Sequence, residues 1–168
     1  KILGIGLGVP GPVSSTGVVH GCVNLGWKEK DVIQELKALI NYPVRVGNDA
    51  SLAALGELYA GSGMGKHSLL MLTLGTGVGG GLVYQNHIIH GAHGAAGEIG
   101  HMIVNPKERE HCNCGRRGCL EQYVSATGIC RMADHLMSEY RDIHTSLDQE
   151  HLDTRTIFEA AQNQDGIG

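Results

Sequence analysis

Residues 68–84 read SLLMLTLGTGVGGGLVY, and this stretch decides the fold. The apolar stretch from Ser68 to Leu74 predicts a strand, and strand-forming residues resume at Leu82 after the glycine-rich run Gly75–Gly81. The run fits the spacing G-x-G-x-x-G, which marks a dinucleotide site only where it opens a helix. Because a strand follows here, the stretch predicts a strand, a loop and a second strand instead.

The glycine-rich run lacks the Lys-Ser or Lys-Thr pair of a P-loop, but it can still form a phosphate loop. Glycine lets backbone N–H groups come close to phosphate oxygens, and the Thr76 hydroxyl adds one more donor. A tight glycine hairpin that binds no ligand is the alternative interpretation. The loop by itself does not decide between the two.

Strands and helices alternate along the rest of the chain. The patterns predict strands at Ile2–Val9, Gly17–His20 and Pro43–Gly47, helices at Asp31–Ile40, Leu52–Ala60, Leu120–Tyr140 and Thr156–Gln162, and a hairpin through Leu82–Ile89. Asp31 is the expected N-cap of the first helix, and Gly128 is the expected interruption of the third. This alternation predicts an α/β fold with a domain seam near Asp49–Ser51.

Composition narrows the classes of function. The 168 residues carry a formal net charge of -4 with a pI near 6.2, which gives no attraction to nucleic acid or to anionic membranes. No apolar run approaches the roughly 20 residues of a membrane-spanning helix, and no signal peptide is recognisable, so we expect a cytoplasmic protein. The chain starts at Lys1 and stops at Gly168 without a closing element, which indicates an internal fragment.

Asn48 and Asp49 follow a predicted strand and precede a predicted helix. Because α/β proteins place catalytic groups at the carboxyl ends of strands, Asn48 is a candidate to bind a substrate hydroxyl and Asp49 is a candidate general base. Ordinary helix capping explains the same residue types at this position. Both interpretations stay open at this point.

A histidine and three clustered cysteines have the composition of a metal site. Cys112, Cys114 and Cys119 follow the spacing C-x-C-x4-C, and His101 precedes them. Four nitrogen and sulfur ligands leave no position open for water, so this set predicts a structural zinc site. Buried free thiols are the alternative.

Two carboxylates flank the predicted zinc loop. Glu98 lies three residues before His101, near the same face if this turn is helical, and Glu121 follows the last cysteine by two residues. A folded metal loop would therefore fix the Glu121 carboxylate in space. Cys22 and Cys130 have no such neighbours and are predicted to be core thiols.

Several motifs, and the order in which they follow one another along the chain, resemble those of the ROK family (Repressor, ORF, Kinase). The most specific are Leu74–Gly81, Gly94–His101 and Cys112–Glu121, and further similar segments are Gly8–Val13, Asn24–Trp27 and Asn48–Ala50. The resemblance covers roughly residues 2–135. The segment Ser125–Ile129 is similar to that of glucokinases from Gram-positive bacteria, which favours glucose as the substrate.

The resemblance implies an actin-like ATPase fold of the ribonuclease H-like type, with two α/β domains that close over a sugar and ATP. Residues 1–50 would belong to the small N-terminal domain, and residues 51–168 to the large C-terminal domain, which carries a zinc-binding loop at 101–119. The implied reaction is ATP- and Mg²⁺-dependent phosphorylation of glucose to glucose 6-phosphate, a step of glycolysis and carbohydrate metabolism. A homo-oligomer, either a dimer or a tetramer, is implied as well.

The resemblance also implies a role for each site residue. Asp49 would be the general base toward the sugar 6-hydroxyl, and His101 would offer one ring nitrogen to sugar and the other to zinc. The implied sugar-binding residues are Asn48, Asp49, Glu98, His101 and Glu121. The implied contacts to the ATP phosphates are Thr76 and Gly77, and the implied zinc ligands are His101, Cys112, Cys114 and Cys119.

The sequence departs from the family pattern in two places, and other functions stay open. The first phosphate loop, Asp-x-Gly-Gly-Thr, and the glycine region that borders adenine are absent, so we expect this fragment alone to be inactive. A sugar-responsive transcription repressor and a kinase of N-acetylated hexosamines are alternatives within the family. A zinc-containing binding module with an inert glycine loop is the alternative outside it.

Overall fold

A computed structural model describes residues 1–22 and 25–168. Asn24, which belongs to one of the family-like segments, lies outside the described residues. The chain divides into two compact units. The first unit contains residues 1–73 and 79–99, and the second contains residues 74–78 and 100–168.

Two small sheets and two helices begin the first unit. Strands β1 (Ile5–Val9) and β4 (Val44–Asn48) are parallel, with Val9 opposite Asn48, and strands β2 (Val18–Cys22) and β3 (Trp27–Asp31) are antiparallel. Helices α1 (Val32–Leu39) and α2 (Asp49–Ala60) follow β3 and β4 directly. The order of strands and helices agrees with the predicted α/β class, but β3 was not anticipated.

Local signals determine the ends of these helices. The Asp31 side chain caps α1 by accepting a hydrogen bond from the N–H of Gln34 at 2.9 Å, as predicted. Helix α2 ends at Ala60, as predicted, and Gly61 is its C-cap. Buried side chains of β1, β2, α1 and the segment between the two strands form the first core cluster, which consists of Val9, Val13, Val19, Cys22 and Val32. The prediction of a core thiol at Cys22 is therefore confirmed.

A three-stranded sheet follows helix α2. Strands β5 (Leu69–Leu74), β6 (Val78–Tyr84) and β7 (His87–Ile88) lie in that order, and β6 and β7 form the predicted antiparallel hairpin. Gln85 and Asn86 turn the hairpin with φ of 48° and 66°, the left-handed pair that a two-residue type I′ turn requires. Val83 of β6 packs with Ala54 and Leu58 of α2 in a second core cluster.

The second unit is mainly helical. A 3-10 turn at Ile99–His101, whose first residue still belongs to the first unit, leads into the cysteine loop, and helices α3 (Glu121–Val124), α4 (Ala126–Glu139) and α5 (Thr154–Gln162) follow. The predicted long helix is thus two helices, and the predicted interruption at Gly128 is wrong. The break is at Ser125, which is extended (φ -75°, ψ 162°) and caps α4 by accepting from the N–H of Gly128 at 3.0 Å.

Gly128 has a different role from the one predicted. It lies inside α4, and a Cβ there would come within 2.6 Å of the Gln122 carbonyl oxygen. Its lack of a side chain therefore permits close packing of α3 and α4. The glycine at position 128 thus marks a packing contact between two helices and not a helix break.

The seam predicted between residues 50 and 51 stays a prediction, because it concerns domains of a complete protein, whereas the two units describe packing within this chain. Among the described residues, no helix combines the length and apolar character that crossing a membrane requires.

Candidate functional site

Asn48 lies where β4 ends and α2 begins. Its Oδ1 accepts a hydrogen bond from the N–H of Ser51 at 2.9 Å, so it is the N-cap of α2. Its Nδ2 donates to the Gly11 carbonyl oxygen at 3.2 Å and to Asp49 Oδ1 at 3.1 Å. Asn48 therefore joins two chain segments and also contacts the carboxylate beside it.

Asp49 is an exposed carboxylate held by one oxygen. Its Oδ1 accepts from the N–H of Ala50 at 2.8 Å and from the amide of Asn48. Its Oδ2 forms no hydrogen bond with the part of the chain that the structure describes. One oxygen thus orients the group, and the other is available to accept a proton.

Glu98 is partly buried in the first unit, in a turn that immediately precedes the 3-10 helix. Its N–H donates to the Ala95 carbonyl oxygen at 3.1 Å. The neighbouring Gly97 lies against Gly80 of β6, and a Cβ on Gly80 would come within 2.6 Å of the Gly97 carbonyl oxygen. Close backbone packing therefore positions this segment.

The glycine-rich run has two parts with different structures. The turn half, Gly75–Gly77, lies outside the strands, and the strand half, Gly79–Gly81, belongs to β6. A Cβ on Gly81 would lie 2.6 Å from the Ala50 carbonyl oxygen and against the Ala54 side chain. Gly81 is therefore a glycine because β6 packs closely on α2, and Gly80 is a glycine because β6 also lies against the segment of Gly97.

The turn half is joined to Glu121 at the start of α3. Glu121 Oε2 accepts a hydrogen bond from the N–H of Val78 at 2.9 Å, and a Cβ on Gly77 would lie 2.5 Å from the same oxygen. On the other side, Glu121 Oε1 lies 3.7 Å from Cys112 Sγ, which donates to it. One carboxylate thus links the glycine turn to the cysteine loop.

The structure brings the four predicted metal ligands together. Ligand atoms of His101, Cys112, Cys114 and Cys119 all lie within 4.8 Å of one another. His101 Nδ1 is 3.7 Å from Cys112 Sγ, and Cys114 Sγ is 3.6 Å from Cys119 Sγ. Tetrahedral zinc with bonds of about 2.3 Å to sulfur and 2.0 Å to nitrogen requires ligand separations of about 3.5–3.8 Å. The donor set and its spacing therefore fit zinc.

Backbone geometry shapes the cysteine loop. The N–H of Cys112 donates to the Arg116 carbonyl oxygen at 2.8 Å, closing a turn in which Gly115 has φ of 84°. Gly118 has φ of 73°, and a Cβ there would collide with the Asn105 carbonyl oxygen. Glycine is therefore required at both corners of the loop.

The three thiols have different environments. Burial raises the pKa of Cys112 to about 12 and also raises the pKa of Cys119. At Cys114, which lies at the surface, burial also acts to raise the pKa, but hydrogen bonds from Arg116 outweigh it and the pKa is lowered. Without a metal ion, Cys112 and Cys119 are therefore protonated at neutral pH, and zinc binding would displace their protons.

A polar network that the sequence did not reveal holds the first half of the cysteine loop. The Tyr123 hydroxyl donates to Glu108 Oε2 at 2.6 Å and accepts from the amide of Asn105 at 3.0 Å. Arg131 of α4 contacts the carboxylates of Glu108 and Glu110. These residues lie up to 26 positions apart, from 105 to 131, so local sequence carries no signal of the network.

The structure places the predicted site residues in both units. Asn48, Asp49 and Glu98 belong to the first unit. Thr76, Gly77, His101, Cys112, Cys114, Cys119 and Glu121 belong to the second unit. Within the second unit, the glycine turn, Glu121 and the metal ligands are connected by the contacts described above.

Comparison with known proteins agrees with the motifs. The sequence profile of the ROK family matches residues 1–167. The chain belongs to the ROK family. It is 44% identical over 170 residues to a glucokinase of Halalkalibacterium halodurans, a match that covers 99% of this chain and 52% of that protein. The chain thus spans about half the length of the curated relatives it matches.

Solved structures of ROK proteins share the fold. The ROK family glucokinase from Streptomyces griseus in complex with glucose and AMPPNP superposes with a TM-score of 0.80 at 30% identity, covering 99% of this chain and 55% of that chain. A ROK family transcriptional regulator, a homologue of the E. coli MLC protein, superposes with a TM-score of 0.82 at 26% identity. That match covers 99% of this chain and 42% of the regulator. The predicted actin-like ATPase fold is confirmed, and this chain forms part of it.

Proposed function

We propose that the full-length protein that contains this chain is an ATP-dependent hexose kinase and that glucose is its substrate. The similarity to glucokinases supports this proposal, and one of them has a structure with glucose and AMPPNP bound. The observation that carries it is the Asp49 carboxylate, which has one oxygen anchored by two donors and the other without a hydrogen bond to the described residues. A general base needs an oxygen that can accept the substrate proton, and Asp49 Oδ2 would be that oxygen.

In the proposed reaction, Asp49 accepts the proton of the sugar 6-hydroxyl. The hydroxyl oxygen forms a bond to the γ-phosphorus of ATP while the bond from that phosphorus to the bridging oxygen breaks, and ADP leaves. The hydrogen bond from Asn48 holds the base in one orientation. Sugar-binding roles for Asn48, Glu98, His101 and Glu121 are part of the proposal.

ATP would place its phosphates against Thr76 and Gly77. Glycine in this turn leaves the backbone N–H groups open to phosphate oxygens, and the Thr76 side chain is exposed. Mg²⁺ bound to ATP would neutralise charge on the phosphates during transfer. These residues would hold and orient the phosphate chain.

Zinc would have a structural role. His101, Cys112, Cys114 and Cys119 provide all four ligands of a tetrahedral site, so no position is left for substrate. By fixing the loop, the metal would hold Glu121, which follows the ligand Cys119 by two residues and whose Oε2 accepts a hydrogen bond from the Val78 N–H beside the glycine turn. A cytoplasmic location, a homo-oligomeric state and the domain seam after residue 50 also belong to this proposal.

The test is phosphorylation by the full-length protein with a panel of sugars that contains glucose, mannose, fructose, N-acetylglucosamine and N-acetylmannosamine. We expect glucose to be preferred and Asp49→Asn to lower kcat by about 10²–10⁴-fold, the usual contribution of a general base. Asp31→Asn is the matched control, because it makes the same change at the start of another helix, α1. Full activity of Asp49→Asn would refute the assignment of the base.

A sugar-responsive repressor is the second candidate, because a ROK transcriptional regulator matches the fold of this chain as well as a kinase does. The same panel separates the two functions. A repressor would bind sugar, measured by calorimetry, but would phosphorylate none of the five. If the protein phosphorylated an N-acetylated hexosamine in preference to glucose, the proposed kinase activity would stand and the proposed substrate would be wrong.

A further inference from the structure

Thr127, in the first turn of α4, contacts the glycine turn. Its Oγ1 donates a hydrogen bond to the Thr76 carbonyl oxygen at 3.0 Å. Beside it, the N–H of Ala126 donates to the Gly75 carbonyl oxygen at 2.8 Å. Two successive carbonyl groups of the turn are therefore held toward the start of α4.

We infer that Thr127 is a positioning residue that orients the backbone of the glycine turn for binding a phosphate group. In a trans peptide the carbonyl group and the next N–H point in opposite directions, and this chain contains no cis peptide bond in the described ranges 1–22 and 25–168. Holding the Gly75 and Thr76 carbonyls toward α4 thus aims the N–H groups of Thr76 and Gly77 away from it. The inference rests on the proposed function, which places ATP phosphates at this turn.

Within the glycine turn, the N–H groups of Thr76 and Gly77 are the ones that hydrogen bonding to the described chain does not use, so they can donate to a ligand. The N–H of Gly75 donates to the Gly77 carbonyl oxygen at 3.0 Å, and the N–H of Val78 donates to Glu121. For the N–H groups of Thr76 and Gly77, no acceptor exists among the residues that the structure describes. Two adjacent backbone donors that point the same way form a binding place for a tetrahedral oxyanion. A phosphate group of a nucleoside triphosphate has this chemistry.

The orientation of the Thr127 hydroxyl follows from its neighbours. Ser125 is 1% exposed, and its Oγ accepts from the N–H of Gly128 and lies 3.1 Å from Thr127 Oγ1. Because the Thr127 proton goes to the Thr76 carbonyl, the Ser125 proton goes to Thr127. The result is a chain of hydrogen bonds from inside α4 to the glycine turn, in which each bond polarises the next. Thr127 is the last side chain in that chain.

The experiment compares the wild-type full-length protein with Thr127→Val and Thr127→Ser. Valine keeps the shape of threonine and removes the hydroxyl, whereas serine keeps the hydroxyl. We expect Thr127→Val to weaken AMPPNP binding, measured by calorimetry, by about tenfold, the effect of one lost hydrogen bond of about 1.4 kcal/mol. The KM for ATP should rise similarly while the KM for glucose is unchanged, and Thr127→Ser should behave as wild type.

Several results would overturn the inference. These are wild-type AMPPNP affinity in Thr127→Val, an equal loss in Thr127→Ser, a parallel rise in the KM for glucose, or no AMPPNP binding by the wild-type protein. If the wild-type protein binds AMPPNP but phosphorylates no sugar, the kinase proposal fails, and the binding comparison of the two variants still decides the role of Thr127. The thermal unfolding temperature of each variant shows whether a loss of AMPPNP affinity is caused by a less stable protein.

Discussion

A Cβ added to Gly75 would meet no atom within 4 Å, whereas a Cβ added to Gly81 would lie 2.6 Å from the Ala50 carbonyl oxygen and against Ala54. Both residues belong to the same glycine-rich run. At Gly75, glycine leaves the backbone open on one side, whereas Gly77 in the same turn half lies against Glu121 Oε2. In the strand half, glycine lets β6 lie close to α2.

This difference shows that one motif can have two physical origins. The spacing G-x-G-x-x-G is satisfied by Gly75, Gly77 and Gly80, and these residues lie in both halves of the run. Only the turn half can offer backbone donors to a ligand, because the strand half is occupied by packing and by the β-sheet. Substitutions should therefore affect ligand binding in one half and stability in the other.

The largest effect should come from removing zinc. We expect chelation to lower the free energy of unfolding by about 4 kcal/mol if the metal is present at roughly 1,000 times its Kd. Because Glu121 follows the ligand Cys119 by two residues and accepts the Val78 N–H, hydrogen exchange at Val78 should accelerate, while amides of the strand half stay protected.

Metal content and thermal unfolding with and without a chelator measure the stability effect, and hydrogen exchange measures its location. Cys119→Ser should reproduce the loss, and Cys130→Ser, a thiol outside the cluster, should not. A purified protein without zinc, or one that chelation leaves unchanged, would contradict the proposed metal site.

The next largest effect should come from Gly81→Ala. Its methyl group would meet backbone and side-chain atoms of α2 that cannot move away easily, so we expect a loss of roughly 3 kcal/mol in the free energy of unfolding. Gly75→Ala is the matched control and should change stability by less than about 1 kcal/mol. Urea denaturation measures both. Equal destabilisation of the two variants would remove the distinction between the halves.

A smaller effect, dependent on pH, should come from Tyr123→Phe. The hydrogen bond from Tyr123, together with the N–H groups of Glu110 and Arg109 and the charge of Arg131, lowers the pKa of Glu108 from 4.5 to about 2. A lowered folded-state pKa adds stability above the unfolded value, and this contribution is lost as the pH falls from about 4.5 to about 2.

Tyr123→Phe should therefore lower the free energy of unfolding by about 1 kcal/mol at pH 7, and the difference should disappear toward pH 2. Urea denaturation at several pH values checks this. The strand half has no contact of this kind, so Gly81→Ala should show a deficit that does not vary with pH in the same range. A constant deficit for Tyr123→Phe would show that packing of the ring is the cause.

Much of the fold could be predicted because its signals are local. Asp31 caps α1, and Gln85 and Asn86 turn a hairpin, in agreement with the patterns around them. Strand β3 was missed because its sequence, Trp27–Asp31, is mostly charged and lacks alternation. Gly128 was predicted to break a helix, because the sequence pattern does not show its close contact with the Gln122 carbonyl oxygen. That contact exists only because α3 pairs closely with α4.

The candidate site divides in the same way. The cysteines and His101 could be identified from residue type and spacing, and the structure brings their ligand atoms within 4.8 Å. The contact of Thr127 with the glycine turn joins residues 51 positions apart, and no periodicity or motif predicts it. The pairing of Tyr123 with Glu108 depends in the same way on how the chain folds back on itself.

By itself, the sequence determined the family, the α/β class, the residues able to bind metal and the choice of Asp49 as the candidate base. Residue type, spacing and local hydrogen bonding are properties of short segments, so short segments were enough. Only the tertiary structure decided which glycines pack and which expose their backbone, that Asp49 has one oxygen without a hydrogen bond to the described residues, and that Glu121 links the cysteine loop to the glycine turn. These features depend on which segments of the chain the folded backbone brings together and which it keeps apart.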